Sequence, residues 1–474
     1  MSIKDFNNHR PFGTRDKIGY LFGDFGNDFT FILSSSFLLK FYTDIMGVDA
    51  FVVGIIMMLA RFLDAFTDIT MGRICDKSHV STVGKFKPWI RRMCGPVAIA
   101  SFLIYQSVFR TYAMWFKITW LAVTYILWGS IFYTSINIPY GSMASAISRE
   151  PEDRQSLSTW RTMGATLAGV VIGAGVPLIV YDKDVINGNL VNILNGERFT
   201  IVAGVLSILA IGAYLLCYYL TTERVLPEAD KRALENRSIR AMLLGAIKNR
   251  ALLSIIFASI VMLLAQLTMQ QMSNYVFPNY YGNASAMSVS TLMMLLGMSI
   301  AATVAKPLSK RFGKAEISVW SNLLACGISI LLFFIRPESV WVYVGLNFVS
   351  WLGLGIFSMV SWALITDVID YSELKNGVRE DGSIYALYSF ARKLGQAASS
   401  GLVGFLLTGI GYTETTQFDK NVLEGIYDIS TLLPALGFLL LAIILWFWYP
   451  LRKRQVEENV KKLKLIHEQK SNNK

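Results

Sequence analysis

Long apolar segments recur from about residue 18 to residue 449, separated by short polar stretches, and their lengths suit helices that cross a bilayer. Twelve spans are read, at 18–45, 50–75, 88–109, 114–147, 155–180, 199–221, 250–277, 285–308, 315–336, 339–370, 382–411 and 428–449. Most reach the roughly 20 residues needed to cover about 30 Å of hydrocarbon. No water is available there to the backbone, so helices are expected. The pattern predicts an all-α membrane protein of 12 transmembrane helices in two six-helix bundles, residues 1–221 and 251–449. A polar linker of mixed charge, 222–250, joins them, and a basic tail, 450–474, follows.

Composition agrees. Hydrophobic residues make up 53% of the 474 residues, charged residues 16%, and the mean hydropathy is +0.45, too apolar for a soluble protein of this size. The net charge of +11 follows topology rather than nucleic acid, because basic residues collect in alternate loops. Lys77, Lys85, Lys87, Arg91 and Arg92 follow span 2; Arg224, Lys231, Arg232, Arg237 and Arg240 follow span 6; Lys310, Arg311 and Lys314 follow span 8. The polar start from Met1 to Lys17 lacks the apolar core of a cleavable signal, so both termini are expected on the cytoplasmic side of the cell (plasma or inner) membrane. The tail is expected either to lie as a helix on the inner leaflet or to be a solvated anchor.

Four cysteines lie in or beside apolar segments without metal-ligand spacing and read as packing residues; the three histidines fall outside the spans. Any intramembrane proton carrier must then be a carboxylate. No phosphate-binding glycine loop, nucleophile elbow or zinc-type histidine cluster occurs, so neither an ATP-driven pump nor an enzyme is expected, and no cofactor.

Charged groups inside the spans mark the chemistry. In the second span Arg61, Asp64 and Asp68 fall at about 0°, 300° and 340° around a helix, so all three leave one face. Each costs roughly 2.5–3.5 kcal/mol at the bilayer centre on insertion scales, which makes the carboxylate pair a functional-site hypothesis. In the first span Asp24 and Asp28 are four apart on one face, with Asp28 near the midplane; Asp24 pairs with a loop cation or caps a neighbouring helix. The fourth span offers Tyr133, Thr134, Ser135 and Asn137 before Pro139, as ligand groups or as helix-packing residues. Arg161, and Arg392 with Lys393 in the second half, either snorkel to the interface or answer the carboxylates. A pocket holding Asp28 and Arg161 would offer a polyol both acceptor and donor. At the cytoplasmic mouth of span 10, Asp367, Asp370, Glu373 and Arg379 are read as gate ion pairs or as solvated loop charges.

Two short basic turns, Gly84-Lys85-Phe86-Lys87-Pro88 and Ser309-Lys310-Arg311-Phe312-Gly313-Lys314, fall at corresponding places in the two halves. With Gly23-Asp24-Phe25-Gly26, Phe41-Tyr42-Thr43-Asp44, Asp64-Ala65-Phe66-Thr67-Asp68, Asn137-Ile138-Pro139-Tyr140-Gly141 and Asp367-Val368-Ile369-Asp370-Tyr371, the chain resembles the glycoside-pentoside-hexuronide:cation symporters along nearly its whole length. The resemblance implies the major facilitator fold and symport of a glycoside with Na⁺ or H⁺. It places the coupling cation on Asp64 and Asp68 (the metal site if the cation is Na⁺), with Thr67 and Thr134, and makes Arg61 the counter-charge. It places sugar on Asp28, Arg161 and Lys393, with Tyr133, Asn27 and Asn137 nearby. In the best-understood member Asn27 is a lysine, Asn137 an aspartate and Gly141 a tryptophan. The less negative pocket here fits an anionic glycoside such as a glucuronide. Lysophospholipid carriers also resemble this family, so a lipid symporter is the alternative. A sensor or scaffold that transports nothing is the third.

Overall fold

The computed structural model describes residues 10–186, 189–225, 249–376 and 381–472. In chain order its helices are α1 (Thr14–Asp44), α2 (Ala50–Lys77), α3 (Lys87–Ile104), α4 (Met114–Ile147), α5 (Pro151–Val180), α6 (Gly196–Leu220), α7 (Arg250–Tyr280), α8 (Ala284–Phe312), α9 (Lys314–Ile335), α10 (Val340–Asn376), α11 (Asp381–Gly409), α12 (Lys420–Trp448) and α13 (Lys453–Asn472). Ten of them, α2 to α10 and α12, are long and apolar enough to cross a membrane. The α1 and α11 helices, of 31 and 29 residues, are as long but more polar, because Asp24, Asn27 and Asp28 sit in one and Arg392, Lys393 and Gln396 in the other. An antiparallel hairpin, β1 (Tyr181–Ile186) with β2 (Asn189–Leu194), interrupts the helical pattern after α5. The pattern of apolar spans does not anticipate this hairpin.

The chain forms two compact units. One contains the sequence up to Glu235 together with Phe277–Thr291 and Ser400–Leu423; the other contains the remainder.

In the first unit α1 is held by backbones that approach closely, as small residues allow between membrane helices. A Cβ on Gly164 of α5 would lie 2.3 Å from the Leu21 carbonyl oxygen, and one on Gly23 would lie 2.1 Å from the Tyr140 ring of α4. Tyr20 and Tyr140 stack with centroids 4.6 Å apart, and the Tyr140 hydroxyl donates to the Tyr20 carbonyl at 2.6 Å. Beyond α6, the Glu223 carboxylate accepts backbone N–H groups of Lys85, Phe86 and Lys87 at 2.7–2.9 Å, capping the start of α3 where the helix dipole favours an anion. Burial raises the Glu223 carboxyl above its ordinary value, and these N–H donors oppose the rise.

The second unit packs α7, α9, α10 and α12 around Trp351, Phe357, Tyr388 and Phe438. Its basic turn repeats the geometry of the first. Gly84 and Gly313 both take positive φ, 121° and 102°, and each has a glutamate carboxyl where a Cβ would fall, Glu223 in one unit and Glu316 in the other. Glu316 also accepts from the Lys453 amide at 3.1 Å, and Leu463 is buried, so the tail begins as a docked helix, α13.

The end of α1 carries a buried ion pair, Lys40 Nζ to Asp44 Oδ2 at 2.7 Å, with side chains 1% and 4% exposed. The ammonium also donates to Asn279 Oδ1 and to the Tyr412 hydroxyl, both at 2.7 Å, and Tyr412 donates to Asp44 Oδ1 at 2.8 Å. Three N–H donors thus meet three acceptors. Removing one charge strands the other, so Lys40→Met or Asp44→Leu alone should each cost about 3–5 kcal/mol. The double variant should lose less than the two single losses added, and thermal unfolding of the purified protein in detergent checks the difference.

Candidate functional site

The exposed side of α2 is apolar, with Leu59, Phe62, Leu63, Phe66 and Ile69 outward, and its charges turn inward to α4. Arg61 Nη1 lies 3.3 Å from Asp64 Oδ2. The same guanidinium sits 4.8 Å from the Phe31 ring and 5.7 Å from the Trp128 ring, in an aromatic cage that accepts a desolvated cation. Asp64 Oδ1 accepts from the Ser130 hydroxyl at 2.5 Å, and Asp68 Oδ1 from the Thr134 hydroxyl at 2.9 Å. Two carboxylates one turn apart therefore meet two hydroxyls one turn apart. Thr67 turns its hydroxyl to the Asp64 carbonyl at 3.2 Å, leaving its oxygen lone pairs beside the pair.

Ser130 was missed in the sequence, although its four-residue spacing from Thr134 repeats that of Asp64 and Asp68. It lies in a stretch of α4, Leu127–Tyr133, wound as a π-helix, which changes the register that an ideal helix would predict. Gly129 beside it keeps the approach open: a Cβ there would stand 3.5 Å from Asp64 Oδ1.

The second constellation joins α1, α4 and α5. Arg161 Nε donates to Asp24 Oδ1 at 2.9 Å, so the direct partner of this arginine is Asp24 and not Asp28. The difference is one helical turn: the close contact at Gly164 sets α5 against Leu21 and brings Arg161 level with Asp24. No side-chain hydrogen bond or ion pair holds Asp28 among the described residues, and it is half-buried. Tyr133 stacks on Phe31, centroids 5.8 Å apart. Asn27 is wholly buried; its Nδ2 donates to Asn137 Oδ1 at 3.3 Å, and its Oδ1 accepts from Tyr214 at 2.8 Å. Arg161 Nη1 lies 3.8 Å from where a Gly141 Cβ would be.

Lys393 and Arg392 belong to the second unit, where the Arg392 guanidinium stands 5.4 Å from the Trp362 ring. Asp367 pairs there with Lys314 at 2.6 Å, joining α10 to the start of α9. Asp370 and Glu373 lie on α10, and Arg379 falls outside the described residues.

The sequence model of the family described as MFS/sugar transport protein matches residues 19–453. The chain belongs to that family. It is similar to an uncharacterized symporter, YjmB, of Bacillus subtilis (strain 168), 30% identical with 95% of each chain covered. It is also similar to the glucuronide carrier protein homolog of Escherichia coli (strain K12), 29% identical with 94% of each covered. Among solved structures, a bacterial homolog of the human lysosomal transporter Spinster shares the fold, with a TM-score of 0.66 at 11% identity and 95% and 99% of the two chains covered. The protein is accordingly a multi-pass membrane transporter of the glycoside-pentoside-hexuronide type within the major facilitators, and not an enzyme. Its family handles sugars, which does not favour the lipid alternative.

Because the α1–α5 contact sets the height of Arg161, Gly164→Ala in this transporter should cost about 1–3 kcal/mol through overpacking. Gly72→Ala, with nothing within 4 Å of the added methyl, should leave the melting temperature unchanged or slightly higher. Equal melting temperatures for both variants in detergent would remove the close contact from the account.

Proposed function

We propose that this transporter is a symporter that moves a glycoside, preferably an anionic one, inward with Na⁺ or H⁺ by alternating access. The observation that carries the reading is the pairing of Asp64 and Asp68 with Ser130 and Thr134 inside the span region. Two carboxylates with hydroxyl oxygens beside them make an all-oxygen site for a hard cation, and the same pair could share a proton. Thr67 is the remaining ligand in this reading, and no cofactor beyond the coupling cation is needed. Without a cation, Arg61 compensates only part of the charge of the pair. A bound cation completes the neutralisation and draws α2 and α4 together.

The glycoside is assigned to Asp28, Arg161 and Asn137, with Tyr133 at the side; Lys393 is the further sugar residue that the resemblance names. Asp28 supplies an acceptor for sugar hydroxyls, and Arg161 a planar donor. An anionic substrate is supported by the amide at Asn137, which adds no negative charge, and by the likeness to a glucuronide carrier homolog. Asp367, Asp370, Glu373 and Arg379 are assigned to a cytoplasmic gate. The bundles are taken as 1–221 and 251–449 with the linker 222–250 between them, and both termini, including the tail 450–474, as cytoplasmic.

Reconstituted into proteoliposomes and offered labelled glycosides, the protein should accumulate one of them against its gradient under an imposed Na⁺ or pH gradient. Asp64→Asn should abolish that uphill accumulation. By reciprocity, sugar should tighten cation binding by the same factor by which the cation tightens sugar binding. Undiminished uphill uptake by Asp64→Asn would sink the coupling assignment.

A further inference from the structure

The amide of Asn27 is used at both ends inside the protein. It receives the Tyr214 hydroxyl of α6 on its oxygen at 2.8 Å and donates its nitrogen to Asn137 Oδ1 at 3.3 Å, and it is 0% exposed. A group so enclosed does not meet a solute. What it does is choose the face that Asn137 presents: with Oδ1 occupied, the half-buried Asn137 offers its Nδ2, a donor that makes no hydrogen bond among the described residues. One turn further along α4, Gly141 leaves a gap whose far wall is Arg161 Nη1, 3.8 Å from the position of a Cβ. The Nε of that guanidinium is already spent on Asp24. Asn137 and Gly141 are one helical turn apart, roughly 6 Å along the axis of α4, and the Asn137 amide nitrogen and the Nη edge of Arg161 beside Gly141 are both donors.

We infer that Tyr214 and Asn27 are positioning residues that fix Asn137 as a hydrogen-bond donor, and that Asn137 and Arg161 together receive the carboxylate or sulfonate of an anionic sugar. This rests on the assignment of glycoside transport and names its substrate class and the residues that set it. A charge-assisted pair of donors suits an oxyanion and gives a neutral hydroxymethyl group less. An aspartate at position 137 would replace the donors with a repelling charge. Asp28, an acceptor one turn from Asp24 on α1, serves the sugar hydroxyls.

The test uses full-length protein in proteoliposomes with labelled phenyl glucuronide, and unlabelled phenyl glucoside as the neutral competitor. Tyr214→Phe removes one hydroxyl and should raise the KM for the glucuronide roughly five- to tenfold while leaving the maximal rate within about twofold, since a mispositioned donor weakens binding rather than reducing the number of working carriers. The inhibition constant of the glucoside should move less than about twofold. Asn137→Asp should weaken the glucuronide by about tenfold or more and the glucoside by clearly less. An unchanged glucuronide KM in Tyr214→Phe, an equal shift for both sugars, or a glucuronide KM retained in Asn137→Asp would each overturn the positioning role. If Tyr214→Phe does not survive purification, Asn27→Ala, which removes the same link to Asn137, takes its place with the same expected split between the two sugars. Absence of uptake and of competition by the wild-type protein would instead overturn the assignment of glycoside transport itself.

Discussion

A carboxylate inside a membrane helix is stabilised by donors from a neighbouring helix, and the first unit brings such donors to Asp24, Asp64 and Asp68. Insertion of a charge costs kilocalories, and only a short hydrogen bond or ion pair offsets it. Glycine sets the distances. Gly164 lets α5 touch the α1 backbone, so that Arg161 reaches Asp24; Gly23 admits the Tyr140 ring, which pins α1 to α4; Gly129 leaves room beside Asp64. The pairing of Arg161 with Asp24 goes with the Gly164 approach, and that of Ser130 with Asp64 goes with the π-wound turn of α4. The same rule governs Lys40, whose three donors are matched by Asp44, Asn279 and Tyr412 at nearly equal distances.

Much of this was legible before any coordinates. The spacing of Arg61, Asp64 and Asp68 placed them on one face, and in the fold they do share a face, turned to α4 with apolar side chains on the opposite side. The helical architecture, the position of the spans and the two equivalent basic turns could be read from periodicity and charge, because membrane insertion constrains both strongly. The positive φ of Gly84 and Gly313 shows why glycine recurs there: each turn starts a helix with a glutamate folded against it.

What could not be read depends on register between helices. Asp24 and Asp28 are equivalent by angular position, and only the height of α5 decides which of them meets Arg161. Ser130 drew no attention, because an ideal period does not anticipate the π-wound stretch that turns it to Asp64. Asn27 was placed near the sugar by the resemblance alone; in the fold it is enclosed by Tyr214, nearly 190 residues away in the chain. The Lys40 network was passed over for a similar reason. Its partners Asn279 and Tyr412 come from the second half of the sequence, and no local pattern announces a pairing at that separation.

The two constellations share one helix, and this gives the proposed symport a physical route for coupling. Ser130 and Thr134 of α4 face the carboxylates of α2, while Asn137 and Gly141 of the same helix face α1 and Arg161. Thr134 and Asn137 are three residues apart, so a rigid α4 cannot rotate or slide for one without moving the other. A cation that draws Thr134 toward Asp68 changes the position of the Asn137 amide directly, with no chain of intermediaries. The π-wound stretch just before Thr134 is a place where that motion can be absorbed, since its looser winding has alternative hydrogen-bond registers. Winding it tightly would uncouple Ser130 from Asp64 while leaving Asn137 in place. In the proposed symport that turn would link the cation to the sugar, because a two-state element biased from both sites is what a coupling free energy requires.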